Sequence, residues 1–259
     1  MNRVIYYYQT FCGLQKILDQ GNTCPVTHIH LASTHFGTKN GKPYIHLNNN
    51  SPYDQQFAAV WTQLQQASKL GIKITLMIGG AGGGFASLFE NFEVYYPMLQ
   101  QLLTDKHIIT GIDLDVEESV GYDNISMLIS RIVRDYPTFR LSLAPVASSL
   151  ANNQPGMGGF VYKELYNQWG EHIDYFNGQF YVEYTVQSYK DCINHGFPAS
   201  KVVMGMIECN SDMLSVVSEL SKNENDFGGV FYWEYFAAPK NWEQEVANAM
   251  KPTWRCIIN

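Results

Sequence analysis

The chain has 259 residues, of which 46% are hydrophobic and 14% aromatic, and a net charge of −7. That length can bury a large core and suits one α/β barrel or two small domains. The acidic balance, with no run of Lys or Arg, argues against nucleic acid and anionic membrane as partners, since both need clustered cations. A neutral ligand fits better, and the 17 Tyr and 5 Trp include side chains on which sugar rings could stack.

Strand-like and helix-like segments alternate from one end to the other. The first strand covers 3–9, in RVIYYYQTF. This opening has no sustained apolar core and no small-residue cleavage site, so it does not read as a signal peptide. No stretch approaches the roughly 18 apolar residues of a membrane span. The expectation is a cytoplasmic protein, or one released by a non-classical route, with extracellular action still open. A second strand at 27–33 carries the pair His28 and His30. A helix follows at 51–70, with Phe57, Val60, Trp61 and Leu64 at helical spacing. A third strand, 72–79, runs into GGAGGG, and a fourth, 108–117, is described below. The helix at 124–136 repeats Ile125, Leu128, Ile129 and Ile132. Further strands at 139–145, 173–181, 201–207 and 228–234 complete the set, with helical residues 213–220 between the last two. About eight βα units in this length match a (β/α)8 TIM barrel; a doubly wound sheet, the alternative, more often stops at five to seven strands. With no linker or low-complexity tract, 1–259 reads as one domain and, by default, a monomer.

Residues 108–118 read IITGIDLDVEE. Side chains alternate across a strand, so Asp113, Asp115 and Glu117 share one face while Ile112, Leu114 and Val116 take the other. A solvated edge strand would explain an acidic face, but the two isoleucines that lead in do not alternate. The acids also crowd the C-terminal end, where barrel enzymes keep their chemistry. Three carboxylates could hold Mg²⁺ or Ca²⁺, yet the apolar spacers Leu114 and Val116 do not suit such a loop. Glycoside hydrolysis is a third reading, in which one carboxyl kept protonated by crowded like charges donates its proton to a leaving oxygen. Groups on one strand cannot easily flank a sugar from opposite sides. The nucleophile must then come from elsewhere, the substrate included.

GIDLDVEE resembles the DxxDxDxE signature of glycoside hydrolase family 18, the chitinases and endo-β-N-acetylglucosaminidases. MIGGAGGG is similar to the family's SxGG block. LAPVASSL, NGQFYVEY and GGVFYWEYF match later strand ends in the family's order, and RVIYYYQTF its first strand, so the likeness covers the whole chain. The closest look is to compact single-domain chitinases of fungi and bacteria. It implies a (β/α)8 barrel and retaining hydrolysis of β-1,4-linked N-acetylglucosamine, in chitin or a related oligosaccharide, with no cofactor and no metal. Release from N-glycans is an alternative, and non-hydrolytic chitooligosaccharide binding another. Glu117 would be the general acid. Asp115 would hold the N–H of the 2-acetamido group, whose carbonyl oxygen attacks C1 to give an oxazolinium-like intermediate. Asp113 would share a proton with Asp115. Tyr181 would bond the acetamido oxygen, Gln179 would line that subsite, and Trp233 would form the floor under the −1 sugar. Gly80 and Ala81 would let the chain pass close to the ligand, and Tyr7 is placed near the same subsite.

The likeness has departures. Thr110 stands where the signature has its first Asp, and Met77 where SxGG has Ser, which removes a hydroxyl partner from Asp113. No α+β insertion is seen after 207, so an open groove and endo cleavage are expected. GGAGGG lacks the Lys-Ser/Thr of a phosphate cradle. His28 and His30 would suit a metal pair only at the mouth of the barrel; their place towards the strand's N-terminal half reads as packing or capping. His35 is placed at the groove. The five scattered Cys form no CxxC and read as inert thiols.

Overall fold

The computed structural model describes residues 2–224 and 226–251. Among the described residues nine strands form one sheet: β1 Arg3–Tyr8, β2 His28–Lys39, β3 Lys42–Leu47, β4 Lys73–Gly79, β5 Ile109–Asp115, β6 Arg140–Leu143, β7 Tyr175–Gln179, β8 Val202–Met206 and β9 Gly229–Tyr232. All pairings are parallel except β2 with β3, and β1 pairs with both β9 and β2. The sheet thus closes on itself as a single (β/α)8 barrel, with β3 added outside the ring. β5 lies between β4 and β6, which rules out the solvated-edge reading of its acids. The helix Ser211–Asn223 begins soon after β8, so no extra domain interrupts the barrel there.

Alternation along each strand sorts the apolar residues into two clusters. Ile5, Tyr7, Ala32, Met77, Tyr175, Val203 and Phe231 fill the lumen. Tyr6, Tyr8, Ile112, Leu114 and Val116 face the other way and join the larger core beneath the helices. Full burial of such a side chain stabilises the fold by roughly 1.5–3 kcal/mol. The helix Tyr122–Asp135 returns the contact through Ile125, Leu128, Ile129 and Ile132, a stripe at 3.6-residue spacing. The expected helix at 51–70 is shorter, Ala58–Lys69, because Asp54 accepts a bond from the Gln56 amide and opens a single 3₁₀ turn first.

One element departs from the sequence reading. β2 runs past 33 to Lys39 and turns back as β3 through Asn40 and Gly41, both at positive φ. Two left-handed residues in a two-residue loop are what a tight hairpin requires, and Asn-Gly supplies them. The hairpin carries His46 and the residues after it to the C-terminal mouth of the barrel.

Among the described residues no helix is long and apolar enough to cross a membrane. Cys12, Cys24, Cys192 and Cys209 are free thiols; burial pushes Cys192 up to about 12 and Cys209 up to about 11, which keeps both protonated. Cys256 lies outside the described residues.

Candidate active site

At the C-terminal mouth lies a cleft of about 620 Å³, and among the described residues lining it Asp115 and Glu117 are the carboxylates. Strand β5 places them. Asp113 points into the lumen one layer below the cleft and is wholly buried. Asp115, the last residue of the strand, is 5% exposed, and Glu117, beyond it, is half-buried. Glu118 turns away and accepts a bond from the Phe85 amide at 2.5 Å.

The two buried acids differ in their partners. Asp113 accepts the Tyr7 hydroxyl at 2.7 Å on Oδ2, and the Ser142 hydroxyl at 2.5 Å and the Asn177 amide at 3.1 Å on Oδ1. His30 Nδ1 lies 3.3 Å from Oδ2. Burial alone would push Asp113 up, but His30, Ser142 and Tyr7 outweigh it and hold the carboxyl below its ordinary value. Asp115 has one side-chain donor, Gln179 Nε2 at 3.2 Å. Burial first, then the charges of Glu117 and Asp113, push its carboxyl well above the ordinary range. Crowding and burial thus act together on Asp115, at the very end of the strand.

Gln179, the last residue of β7, lies 3.2 Å from Asp115 and 3.4 Å from Glu117 through the same amide nitrogen, which also donates to the Ala144 carbonyl at 2.9 Å. One amide reaching both acids puts them on the same wall of the cleft. Tyr181 lines the cleft just beyond β7. Burial, then the charges of Asp115 and Glu117, hold its phenol protonated well above the usual value, so it remains a hydrogen-bond donor. Trp233 follows β9 and lines the cleft with its ring 5.3 Å from that of Tyr7. Gly80 and Ala81 form part of the lining. At Gly79, with φ +94°, a Cβ would stand 2.3 Å from the Asp115 carbonyl oxygen, so only glycine lets β4 pass this close to the acid.

Five placements bear on the sequence reading. Tyr7 does not reach the cleft: it is 1% exposed, and its hydroxyl is spent on Asp113, so it supports the acids from below. The middle tyrosine is selected because β1 turns its neighbours towards the helices. His30, read as packing, touches Asp113. His28 below it is buried, and burial and the nearby cations lower its pKa to about 2; the pair is not at the mouth. Met77 pairs in register with Asp113 and brings a thioether, but Ser142 on β6 supplies a hydroxyl to that carboxylate. Thr110 reaches only the Ile74 carbonyl, at 3.5 Å.

The opposite wall was not foreseen, apart from His35. It comprises Gln9, Ser33, His35, His46, Asn48 and Asn49. His35 Nε2 bonds the Gly79 carbonyl at 2.7 Å, and burial lowers its pKa. Asn48 ties the hairpin to the barrel, donating to the Gln9 carbonyl at 3.0 Å and accepting from the Ser33 amide at 3.2 Å. The Asn40-Gly41 pair was the available signal for this wall. A second hollow, lined by Val146, Ala147 and Val182 among others, shares Gln179 and Tyr181 with the cleft and continues it as a groove.

No family model matches the chain. Chitinase 1 of Tulipa saxatilis subsp. bakeri is 28% identical over 155 residues, 55% of this chain; the match spans 45% of the tulip protein's length. Among solved structures, a fungal endo-β-N-acetylglucosaminidase of glycosyl hydrolase family 18 has a TM-score of 0.87 at 28% identity, over 97% of this chain and 99% of that one. Chitinase ChiC of Aspergillus fumigatus has a TM-score of 0.83 at 29% identity, over 97% and 100%. With the acid run at the end of β5 and these likenesses over nearly the full barrel, the chain is similar in fold and site to chitinases and endo-β-N-acetylglucosaminidases of glycoside hydrolase family 18.

Proposed function

We propose that the protein hydrolyses the β-1,4 linkage of N-acetylglucosamine units with retention, using the substrate's own acetamido oxygen as nucleophile. One observation carries this reading: the two carboxylates of the cleft share a wall and a single amide donor, Gln179. A two-carboxylate mechanism needs its acids to flank the bond. With both on one side, the attacking group must be carried by the sugar. Glu117, half-buried and open to the cleft, is the acid that protonates the leaving oxygen. Asp115 receives the acetamido N–H and steers the carbonyl oxygen towards C1, where positive charge develops. Tyr181 donates to that oxygen and holds the bent acetamido group. The Trp233 ring supplies an apolar face for the −1 sugar. Each group acts on charge that appears only as the bond breaks, which is where stabilisation accelerates a reaction.

A second reading, release of N-glycans, is favoured by the wall opposite. Sugar rings stack on aromatic faces, whereas Gln9, Ser33, His46 and Asn49 offer hydrogen-bonding groups suited to a hydroxyl-rich, branched sugar. The likeness to the fungal endo-β-N-acetylglucosaminidase points the same way. Product analysis on chitin oligomers and on a high-mannose glycopeptide, with EDTA present and Glu117→Gln as control, separates these readings. Cleavage of either substrate with retained anomeric configuration supports the shared mechanism, and the preferred substrate chooses between them. Binding of both without turnover, or loss of turnover in EDTA, would remove it.

A further inference from the structure

His30 is fully buried on β2, opposite Thr75 of β4 in register, and the reaction outlined above gives it no task. Its ring is nonetheless placed between two polar groups. Nδ1 lies 3.3 Å from Asp113 Oδ2, and Nε2 lies 3.1 Å from the Tyr175 hydroxyl. Every neighbouring element contributes to its surroundings. From β1 comes Tyr7, its ring centroid 4.8 Å away, and from β2 itself the neutral His28 at 6.5 Å. Asp113 comes from β5, with Asp115 one layer higher, and Tyr175 comes from β7 with the Arg3 guanidinium stacked 4.3 Å from its ring. The carboxylate is the only charged group among those in contact with the imidazole.

Hydrogen-bond chemistry then constrains the ring. The Tyr7 hydroxyl, Ser142 hydroxyl and Asn177 amide already point donors at Asp113, which suits an ionised, acceptor-only carboxylate. A nitrogen facing such a group is favourable only if it carries hydrogen. The Tyr175 hydroxyl can either donate or accept, so it does not oppose that arrangement. Four strands, β1, β2, β6 and β7, would then each supply one donor and fill the acceptor sites of Asp113.

We infer that His30 is a positioning residue of the catalytic acids, its Nδ1–H keeping Asp113 ionised so that the proton of the Asp113–Asp115 pair stays on Asp115 beneath the bound sugar. Met77 leaves a hydroxyl missing on the β4 side of Asp113, and the imidazole adds a donor from the adjacent strand. The electrostatics of the pair run the same way: Asp113 is held down with His30 as the leading opposing influence, and Asp115 is pushed up. The two acids titrate as a pair, and a donor on Asp113 lowers the pH at which that pair gains its first charge.

The inference rests on the hydrolytic reading only for its kinetic test, so a second measurement needs no turnover. In protein labelled with ¹⁵N-histidine, with the His30 signal assigned by its loss in His30→Asn, Nδ1 is expected to carry a proton at neutral pH. A bare Nδ1 with hydrogen on Nε2 would overturn the inference even if the enzyme proves active. In the kinetic arm, His30→Leu should move the acidic limb of kcat/KM upward by about one pH unit with KM little changed. His30→Asn, which keeps a donor, should bring the limb back. If the limb stays in place in His30→Leu, or if Asn and Leu lower activity alike without moving it, His30 is only packing. Should His30→Leu fail to fold, the nitrogen signal decides alone.

Discussion

The floor of the cleft and its mouth hold carboxyl groups two residues apart on one strand, and the barrel treats them differently. At the floor, Asp113 is ringed by donors from across the lumen and held in its charged form. At the mouth, Asp115 is almost as buried but has Gln179 as its one side-chain donor and two acids beside it, so its charge is disfavoured. Burial therefore does not by itself decide a carboxyl's state; the donors aimed at it and the charges beside it do. The floor is built to be stable. The mouth bears the cost of a buried acid whose charge is disfavoured.

Substitutions at each level should separate these roles. The largest effect is expected at the mouth, where Glu117→Gln should lower kcat by about three orders of magnitude and leave the melting temperature unchanged. A variant within tenfold of wild type would take the acid role from Glu117. Next comes the floor. Asp113→Asn turns an acceptor into a partial donor against the Tyr7, Ser142 and Asn177 groups and should cost on the order of 3 kcal/mol of stability at neutral pH. The folded-state pKa of Asp113 is lowered, so its stabilisation is present above the ordinary carboxylate pKa and fades as pH falls through the folded value. Denaturant titrations from pH 7 down to pH 3 should show wild type and variant converging; a constant gap would contradict the assignment.

Asp115→Asn should do the reverse to stability while lowering kcat about a hundredfold, since an amide can accept the acetamido N–H but cannot hold the pair's proton or take up charge as the bond breaks. A raised folded pKa means that native Asp115 costs stability as pH climbs above the ordinary carboxylate value. The variant should therefore melt higher than wild type at pH 7, with the advantage shrinking towards pH 4. A variant that melts lower at pH 7 would show that the two levels do not differ as described. The smallest effect belongs to the polar wall. Asn49→Ala removes an exposed side chain at the cleft edge and should raise KM about threefold for a branched glycan, roughly the worth of one hydrogen bond. For linear chitin oligomers KM should be nearly unchanged. Equal effects on both substrates would deny the hairpin any part in discrimination.

Much of the fold was legible because the information is local. Period-two alternation put Asp113 and Asp115 on one face and Ile112 and Leu114 on the other, and helical spacing located the stripe Ile125–Ile132. Tyr7 was harder to place, because a barrel strand is apolar on both sides and nothing in YYY says which ring faces the lumen. The hairpin was missed although Asn40-Gly41 marks it, since its polar flanks lack the alternation that usually confirms a strand. Gln9, Ser33 and Asn49 carried no signal at all: they line the cleft only because β1 and the hairpin end at the same mouth.

The chain by itself determined the order of the βα units and the placing of an acid run at the C-terminal end of one strand, and it marked Glu117, Tyr181 and Trp233 as candidates through the family resemblance. These follow from side-chain periodicity and short motifs, which need no partner at a distance. Only the closed barrel decided which carboxyl's charge is favoured and which disfavoured, that Ser142 provides a hydroxyl where Met77 does not, and that His30 touches Asp113. Such properties depend on donors brought from strands far apart in sequence to within about 3 Å of one oxygen, and no spacing along the chain records that approach.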